Sequence, residues 1–231
     1  MKKHIYLFIF SVLIFCFSAP SYAAPAYGTH MPEKRHWTCG LEGNAIIDRN
    51  LDNDEGGTNG NRFFLTYSYG IFSGFSFDGK IGVGDVEWAR TRGNSDLSYS
   101  TNFAGGYGFR VRVYENEEWG VKGVAGFQHI SVHPDAKNQE VTKHEAIIDE
   151  WQGSLVISKD LGDFVPYLGA RYGTLDFIKW ENEASRKRIQ SDKYCGVIAG
   201  LDYWLNKRTK INLEGILLDG EEAAIGISYD F

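Results

Sequence analysis

His129, Ser131 and His133 stand at alternate positions in the run His129-Ile-Ser131-Val-His133. Residues i, i+2 and i+4 of an extended chain share one face, so such a strand lines two imidazoles up beside one hydroxyl. A hydroxyl next to an imidazole is the start of a nucleophile and general-base pair. Glu140 and Glu145 are the carboxylates that could complete it. Neighbours on one face of a strand stand about 6.6 Å apart, however, beyond a direct hydrogen bond unless the side chains lean together. The default reading is of interfacial polar residues at the mouth of a strand. His129 and Ser131 are the catalytic candidates, and an enzyme is not expected.

Two other groups invite chemistry. Cys39 and Cys195 permit one disulfide, but they fall near opposite ends of non-neighbouring segments, so free thiols are preferred. Two Cys without a His at ligand spacing make a poor metal site, and no metal or cofactor is expected. Arg186, Lys187 and Arg188 lie beside Glu181 and Glu183. Solvated loop charge explains them; on an exterior loop they could instead meet the phosphates of lipopolysaccharide.

These residues need elements to position them. Met1-Lys-Lys-His4 precedes an uncharged apolar stretch from Ile5 to Phe17, and small residues follow at Ser21 and Ala23. That order is a secretory signal peptide, residues 1–23, whose apolar core is too short for a membrane helix. Cys16 lacks the small neighbours of a lipoprotein site. A net charge of −6 argues against nucleic acid as a partner. No later apolar run is long enough to cross a bilayer as a helix, so any membrane segment must be a strand.

Strands are what the pattern gives. Phe63, Leu65, Tyr67, Tyr69 and Ile71 alternate with Phe64, Thr66, Ser68 and Gly70. Tyr99, Thr101, Phe103, Gly105, Tyr107, Phe109, Val111 and Val113 alternate likewise with Ser100, Asn102, Arg110 and Arg112. The segments are 38–48, 61–72, 74–91, 98–114, 119–133, 145–159, 163–180, 190–205, 209–218 and 222–231. Connections alternate between long polar stretches, such as 49–60, and abrupt turns, such as Ser73. Only the link 219–221 is short where a long one is expected.

The expectation is therefore an all-β, transmembrane, antiparallel up-and-down β-barrel of ten strands over residues 38–231, with eight as the alternative. Residues 24–37 form a periplasmic lead-in, and both termini and the short turns face the periplasm. In segment 74–91, Phe75, Phe77, Ile81 and Val83 take one face while Val86 and Trp88 take the other. A bulge near Gly82-Val83-Gly84 would restore the phase.

The last residues place Ala223, Ile225, Ile227, Tyr229 and Phe231 on one face, ending on an aromatic. This resembles the closing strand of small bacterial outer-membrane β-barrel proteins. That resemblance implies the bacterial outer membrane as location and recognition of Ile225, Ile227, Tyr229 and Phe231 by the barrel-assembly machinery. His129 and Ser131 also resemble the His-x-Ser of outer-membrane lipid A deacylases, over three residues. Ten strands are similar in number to the outer-membrane aspartate and histidine proteases, whose paired groups His133-Pro-Asp135 and His144 with Asp149 do not reproduce.

With the apolar face toward lipid, the interior set is Arg110, Arg112, Lys122, Gln128, Glu150, Gln152, Arg171, Asp202 and Glu214. Lys122 with Glu150 and Arg171 with Asp202 are the expected pairs, because a buried charge is costly unless paired. Tyr67, Tyr69, Tyr99, Trp151, Tyr167, Tyr172 and Tyr203 are assigned to the interfacial aromatic girdles. A barrel of about ten strands is filled mostly by its own side chains. The expected role is structural or surface-interacting, as a monomer among outer-membrane lipid and lipopolysaccharide. A narrow channel comes second and a lipid-modifying hydrolase third.

Overall fold

The computed structural model describes residues 26–90, 96–139, 142–182 and 184–231. The expected signal peptide and Glu140 lie outside them. Among the described residues every regular element is a strand: β1 Trp37–Asn50, β2 Gly57–Phe72, β3 Phe75–Ala89, β4 Leu97–Asn116, β5 Val121–Val132 and β6 Lys137–Gln139. Then come β7 Thr142–Lys159, β8 Phe164–Glu181, β9 Lys187–Gln190, β10 Cys195–Trp204, β11 Thr209–Leu217 and β12 Glu221–Asp230.

Neighbours pair antiparallel around a closed ring, β1-β2-β3-β4-β5-β7-β8-β10-β11-β12, with β12 returning to β1. Ten strands therefore close the barrel. The short β6 and β9 extend the β7 and β8 hairpins beyond it.

Strand lengths divide the barrel into two storeys. A strand needs about 9–11 residues to cross a bilayer. β10, β11 and β12 have 10, 9 and 10 residues and stop there. β2, β4, β7 and β8 run for 16, 20, 18 and 18, so they continue beyond.

Above the short β11–β12 hairpin, the wall closes by another route. Leu51 bridges Ser191, the Asp52 N–H donates to the Gln190 carbonyl at 2.8 Å, and the Asp192 N–H donates to the Asn50 carbonyl at 3.1 Å. The upper storey is thus an eight-stranded ring in which β9 replaces β10 to β12. This explains the unexpectedly short link at 219–221.

The wall's polarity inverts between storeys. Below, Leu41, Phe63, Leu65, Ile81, Phe109, Leu155, Ile157, Leu168, Ile225 and Ile227 are exposed on the outside. Above, exposed positions are Asn61, Ser98, Ser100, Asn102, His133 and Lys143. One apolar cluster fills the upper interior, including Leu51, Phe64, Val86, Trp88, Tyr99, Val132, Ile148, Leu175, Phe177 and Ile189. Apart from Leu51, just past β1, its members come from β1 to β5 and β7 to β9, and none from β10, β11 or β12.

This inversion corrects the expected bulge at Gly82–Gly84. Even-numbered residues of β3 point inward from Ser76 to Trp88 without a change of phase. Val86 and Trp88 face inward because the interior there is apolar. The register irregularity beside Gly84 and Val86 places its extra residue on β4 instead. That irregularity turns Tyr99 inward while Ala104, farther down β4, also points in. A second irregularity, on β1 between Ile46 and Arg49, aims Arg49 into the lumen.

Candidate functional site

Two places gather the groups capable of chemistry: the lumen, and a polar patch on the outer wall of β5 and β7. The lumen is built in layers. The lowest is the lead-in, of which residues 26–32 are threaded into the barrel while residues 33–36 are exposed. The Ala26 N–H donates to Glu214 Oε1 at 2.6 Å, and Tyr167 donates its hydroxyl to the other oxygen of that carboxylate at 2.7 Å. Tyr27 lies against Lys80 and Arg110, 4.7 and 5.3 Å from its ring centre. Arg110 donates to the His30 carbonyl at 2.7 Å, and His30 meets Asp230 at 2.8 Å. Burial pushes the His30 imidazole below its ordinary range, against the raising effect of Asp230. Gly28 permits the approach: it adopts φ +63°, and a Cβ there would stand 2.9 Å from Asp202 Oδ2.

Arg110 grips Asp78 through two hydrogen bonds of 2.8 and 2.9 Å, and Lys80 pairs with Glu42 at 3.3 Å. Between this layer and the apolar cluster lie Arg49, Arg62 and Arg171 with Glu150, Asp219 and Glu222, all almost fully buried. Arg49 meets Glu222 at 2.8 Å and Asp219 at 3.6 Å; Arg62 meets Glu150 at 2.9 Å. Arg171 holds Asp219 at 2.7 Å and also binds Glu222, Glu150 and Gln152. Three guanidinium groups balance three carboxylates. Such a network tolerates burial only because each charge finds an opposite one. Cavities of about 20 and 50 Å³ remain beside the lead-in, room for a few waters and no larger solute.

The expected interior residues distribute unevenly. Arg110, Gln128, Glu150, Gln152, Arg171, Asp202 and Glu214 are buried in the lumen. Arg112 and Lys122 are at the lower mouth, where both meet Glu115, at 2.6 and 3.4 Å. Neither expected pair forms: Glu150 takes Arg62 and Arg171, while Asp202 takes Lys210 at 2.8 Å and Asn212. Pairing from sequence assumed adjacent strands, but the longest side chains reach across the lumen. Arg62 was missed for that reason, whereas Arg49 and Asp219 fell in stretches read as links and Glu222 meets Arg49 across the paired β1 and β12. The signal to look for was the short link 219–221, whose Asp219 is buried.

Two of the expected girdle residues are also interior. Tyr99 is buried in the upper cluster, and Tyr167 lies inward across Gly200, where a Cβ would stand 2.2 Å from its Cζ. Tyr67, Trp151, Tyr172 and Tyr203 face outward, and Tyr69, half-buried, packs on Trp37 at 4.4 Å. Cys39 and Cys195 are free thiols on β1 and β10. The loop cations are engaged within the chain: Lys187 with Glu55, Arg188 with Asp176, and Arg186 over Trp180 at 4.6 Å. The hydrogen bond from Lys187 holds the Glu55 carboxyl below its ordinary range.

The outer patch brings together residues from two strands. Ser131 and Asp149 are direct partners across β5 and β7, with Oγ and Oδ1 2.5 Å apart. His133 Nε2 lies 2.9 Å from the same Oγ. His129 approaches Asp149 at 3.6 Å and packs on Trp151, ring centres 4.0 Å apart. The carboxylate beside Ser131 is therefore Asp149; Glu145 instead accepts from Lys143 and Trp180. Cross-strand proximity carries this arrangement, which spacing along one strand could not reveal.

Strands long enough to cross a bilayer, a closed backbone and an apolar outer belt define a small transmembrane antiparallel β-barrel. No family model and no curated protein matches this chain. Among solved structures, it is similar to the transport unit of the autotransporter AIDA-I from Escherichia coli, at 11% identity over 90% of this chain and 92% of that one, TM-score 0.47. It is similar also to the outer membrane protein OprG from Pseudomonas aeruginosa, at 10% identity over 88% and 99%, TM-score 0.44. A third is the outer membrane protease OmpT from Escherichia coli, at 10% identity over 89% and 100%, TM-score 0.42.

Proposed function

We propose that this chain is a sealed barrel of the bacterial outer membrane, acting as a structural or surface-interacting protein rather than a channel. The observation that carries this reading is the filled lumen. The lead-in occupies its lower end, the six-charge network its middle and the apolar cluster its upper storey. An ion entering the upper storey would lose its hydration shell without finding polar partners, at a cost of many kcal/mol.

The upper storey supports the surface role. It lifts the loops above the lipid on a walled, packed stem, so that they present a fixed surface. Residues 51–56 are stapled to β9 and residues 191–192 by backbone hydrogen bonds, and Glu55 pairs with Lys179 of β8 and Lys187 of β9. Residues Ile225, Ile227, Tyr229 and Phe231 serve as the assembly signal, and lipopolysaccharide and outer-leaflet lipid surround a monomer.

Cell fractionation with heat-modifiable migration tests the location, and proteoliposome swelling tests the seal. The protein should fractionate with the outer membrane, migrate differently when boiled, and leave liposomes impermeable to small sugars. A soluble pool, or swelling at the rate of a porin, contradicts the reading.

A further inference from the structure

We propose that Ser131, His133 and Asp149 form an ester-hydrolysing site on the outer wall of the barrel, directed at acyl esters of the outer-leaflet lipid. The geometry is that of a hydroxyl held between a carboxylate at 2.5 Å and an imidazole nitrogen at 2.9 Å. A hydroxyl hydrogen rotates freely about its C–O bond. Turning it from Asp149 Oδ1 to an unprotonated His133 Nε2 converts a structural contact into a nucleophile facing its base.

Position selects the substrate. Directly below the site, Phe127, Tyr107 and Trp151 face outward, with Tyr107 and Trp151 packed on His129 at 5.3 and 4.0 Å. Outward aromatic residues mark the level of the lipid headgroup boundary. Beside and above it Asn102 and His133 are exposed, with the outward Phe103 ring 6.2 Å from that of His133. Ser131 thus stands where a lipid in the outer leaflet carries its ester carbonyls, with its acyl chains lying along the apolar wall below. A bound lipid would arrive already oriented, which is a large part of what a hydrolytic site must supply.

The reaction balances with water as co-reactant. Ser131 Oγ attacks the acyl carbonyl carbon as its proton passes to His133 Nε2. The ester C–O bond breaks, and His133 returns the proton to the departing alkoxide. Water then attacks the acyl-serine, giving its proton to His133; the carbonyl–Oγ bond breaks, the fatty acid leaves, and Ser131 recovers the proton. β5 is paired on both sides at this level, Ser131 with Gly105 and with Asp149, so its backbone N–H groups serve the ladders. Stabilisation of the oxyanion must then come from side chains, with His129 the neighbour in place, and turnover should be slow.

The test uses the full chain refolded into vesicles, with folding verified by heat-modifiable migration. A lipophilic fluorophosphonate probe should form an adduct at Ser131 by mass spectrometry. Ser131→Ala should abolish it, His133→Gln should slow it about a hundredfold or more, the scale of a lost general base, and Asp149→Asn, which removes the carboxylate that holds Ser131 Oγ in place, should slow it by less. Fatty acid release is measured in parallel from phosphatidylethanolamine vesicles and from vesicles containing lipopolysaccharide. Release from the first assigns glycerophospholipid esters; release only from the second assigns the acyl esters of lipopolysaccharide. Folded wild-type protein without an adduct, or fatty acid release undiminished in Ser131→Ala, overturns the proposal.

Discussion

Arg49 of the first strand and Glu222 of the last meet at 2.8 Å with both side chains withdrawn from solvent. The pair joins the barrel's closing seam at the level where ten strands give way to eight. Breaking a buried pair leaves an uncompensated charge and costs about 3–5 kcal/mol, whereas replacing both partners with well-packed apolar residues is often neutral. Arg49→Met should therefore lower the urea midpoint sharply. The double variant with Glu222→Met should recover less than the whole loss, because Asp219 and Arg171 also share this network. Urea titration of protein in vesicles, followed by tryptophan fluorescence, measures both.

The upper storey behaves as a soluble-protein core and should show its sensitivities. Phe177 is fully buried and packs on Trp88 and Tyr99, ring centres 5.4 and 6.4 Å away. Phe177→Ala should destabilise by about 3–5 kcal/mol, as other large-to-small core changes do. Leu155→Ala, on the lipid-facing wall, should cost less. Equal effects from the two in the same titration would contradict a packed upper core.

Glu55 supplies a pH dependence. Its folded pKa is depressed by the hydrogen bond from Lys187 and the nearby Lys179. A depressed carboxylate contributes stability above its unfolded value of about 4.3, and the contribution is lost as pH falls through the folded pKa. The protection factors of amides in 51–56 and 187–192, which are exchange rates corrected for the intrinsic pH dependence of an unstructured amide, should thus fall as pH drops through the folded pKa of Glu55. In Glu55→Gln they should be low already at neutral pH.

Single-tryptophan variants report the inversion of polarity. Trp151 is exposed on the lipid side, while Trp88 is buried inside and donates its indole N–H to the Glu55 carbonyl at 2.8 Å. Brominated lipids should quench a variant that keeps only Trp151 and leave one that keeps only Trp88 bright.

The barrel was legible because alternation over Phe63 to Ile71 and Phe103 to Val113 requires lipid on one side, and each hairpin leaves its own turn. What misled was the assumption of one rule for the whole strand. Val86 and Trp88 keep the alternation of β3 with the polarity of the two faces exchanged, Tyr99 turns inward past the irregularity on β4, and period-two patterning cannot say which face meets water. The charge pairs were misassigned for a related reason. Residues on facing walls, such as Arg62 and Glu150, are far apart both in sequence and around the ring, so adjacency of strands does not predict them. The Ser131 and Asp149 contact needed the β5–β7 register, which the polar connection between the strands left open.

The most direct test of the sealed lumen is single-channel recording in planar bilayers, on the full chain and on a deletion of residues 26–36. The apolar cluster lies above the lead-in and does not depend on it. Both proteins should therefore produce no discrete conductance steps. Stepwise currents from the full chain would contradict the seal outright, and steps from the deletion alone would show that the upper storey does not close it.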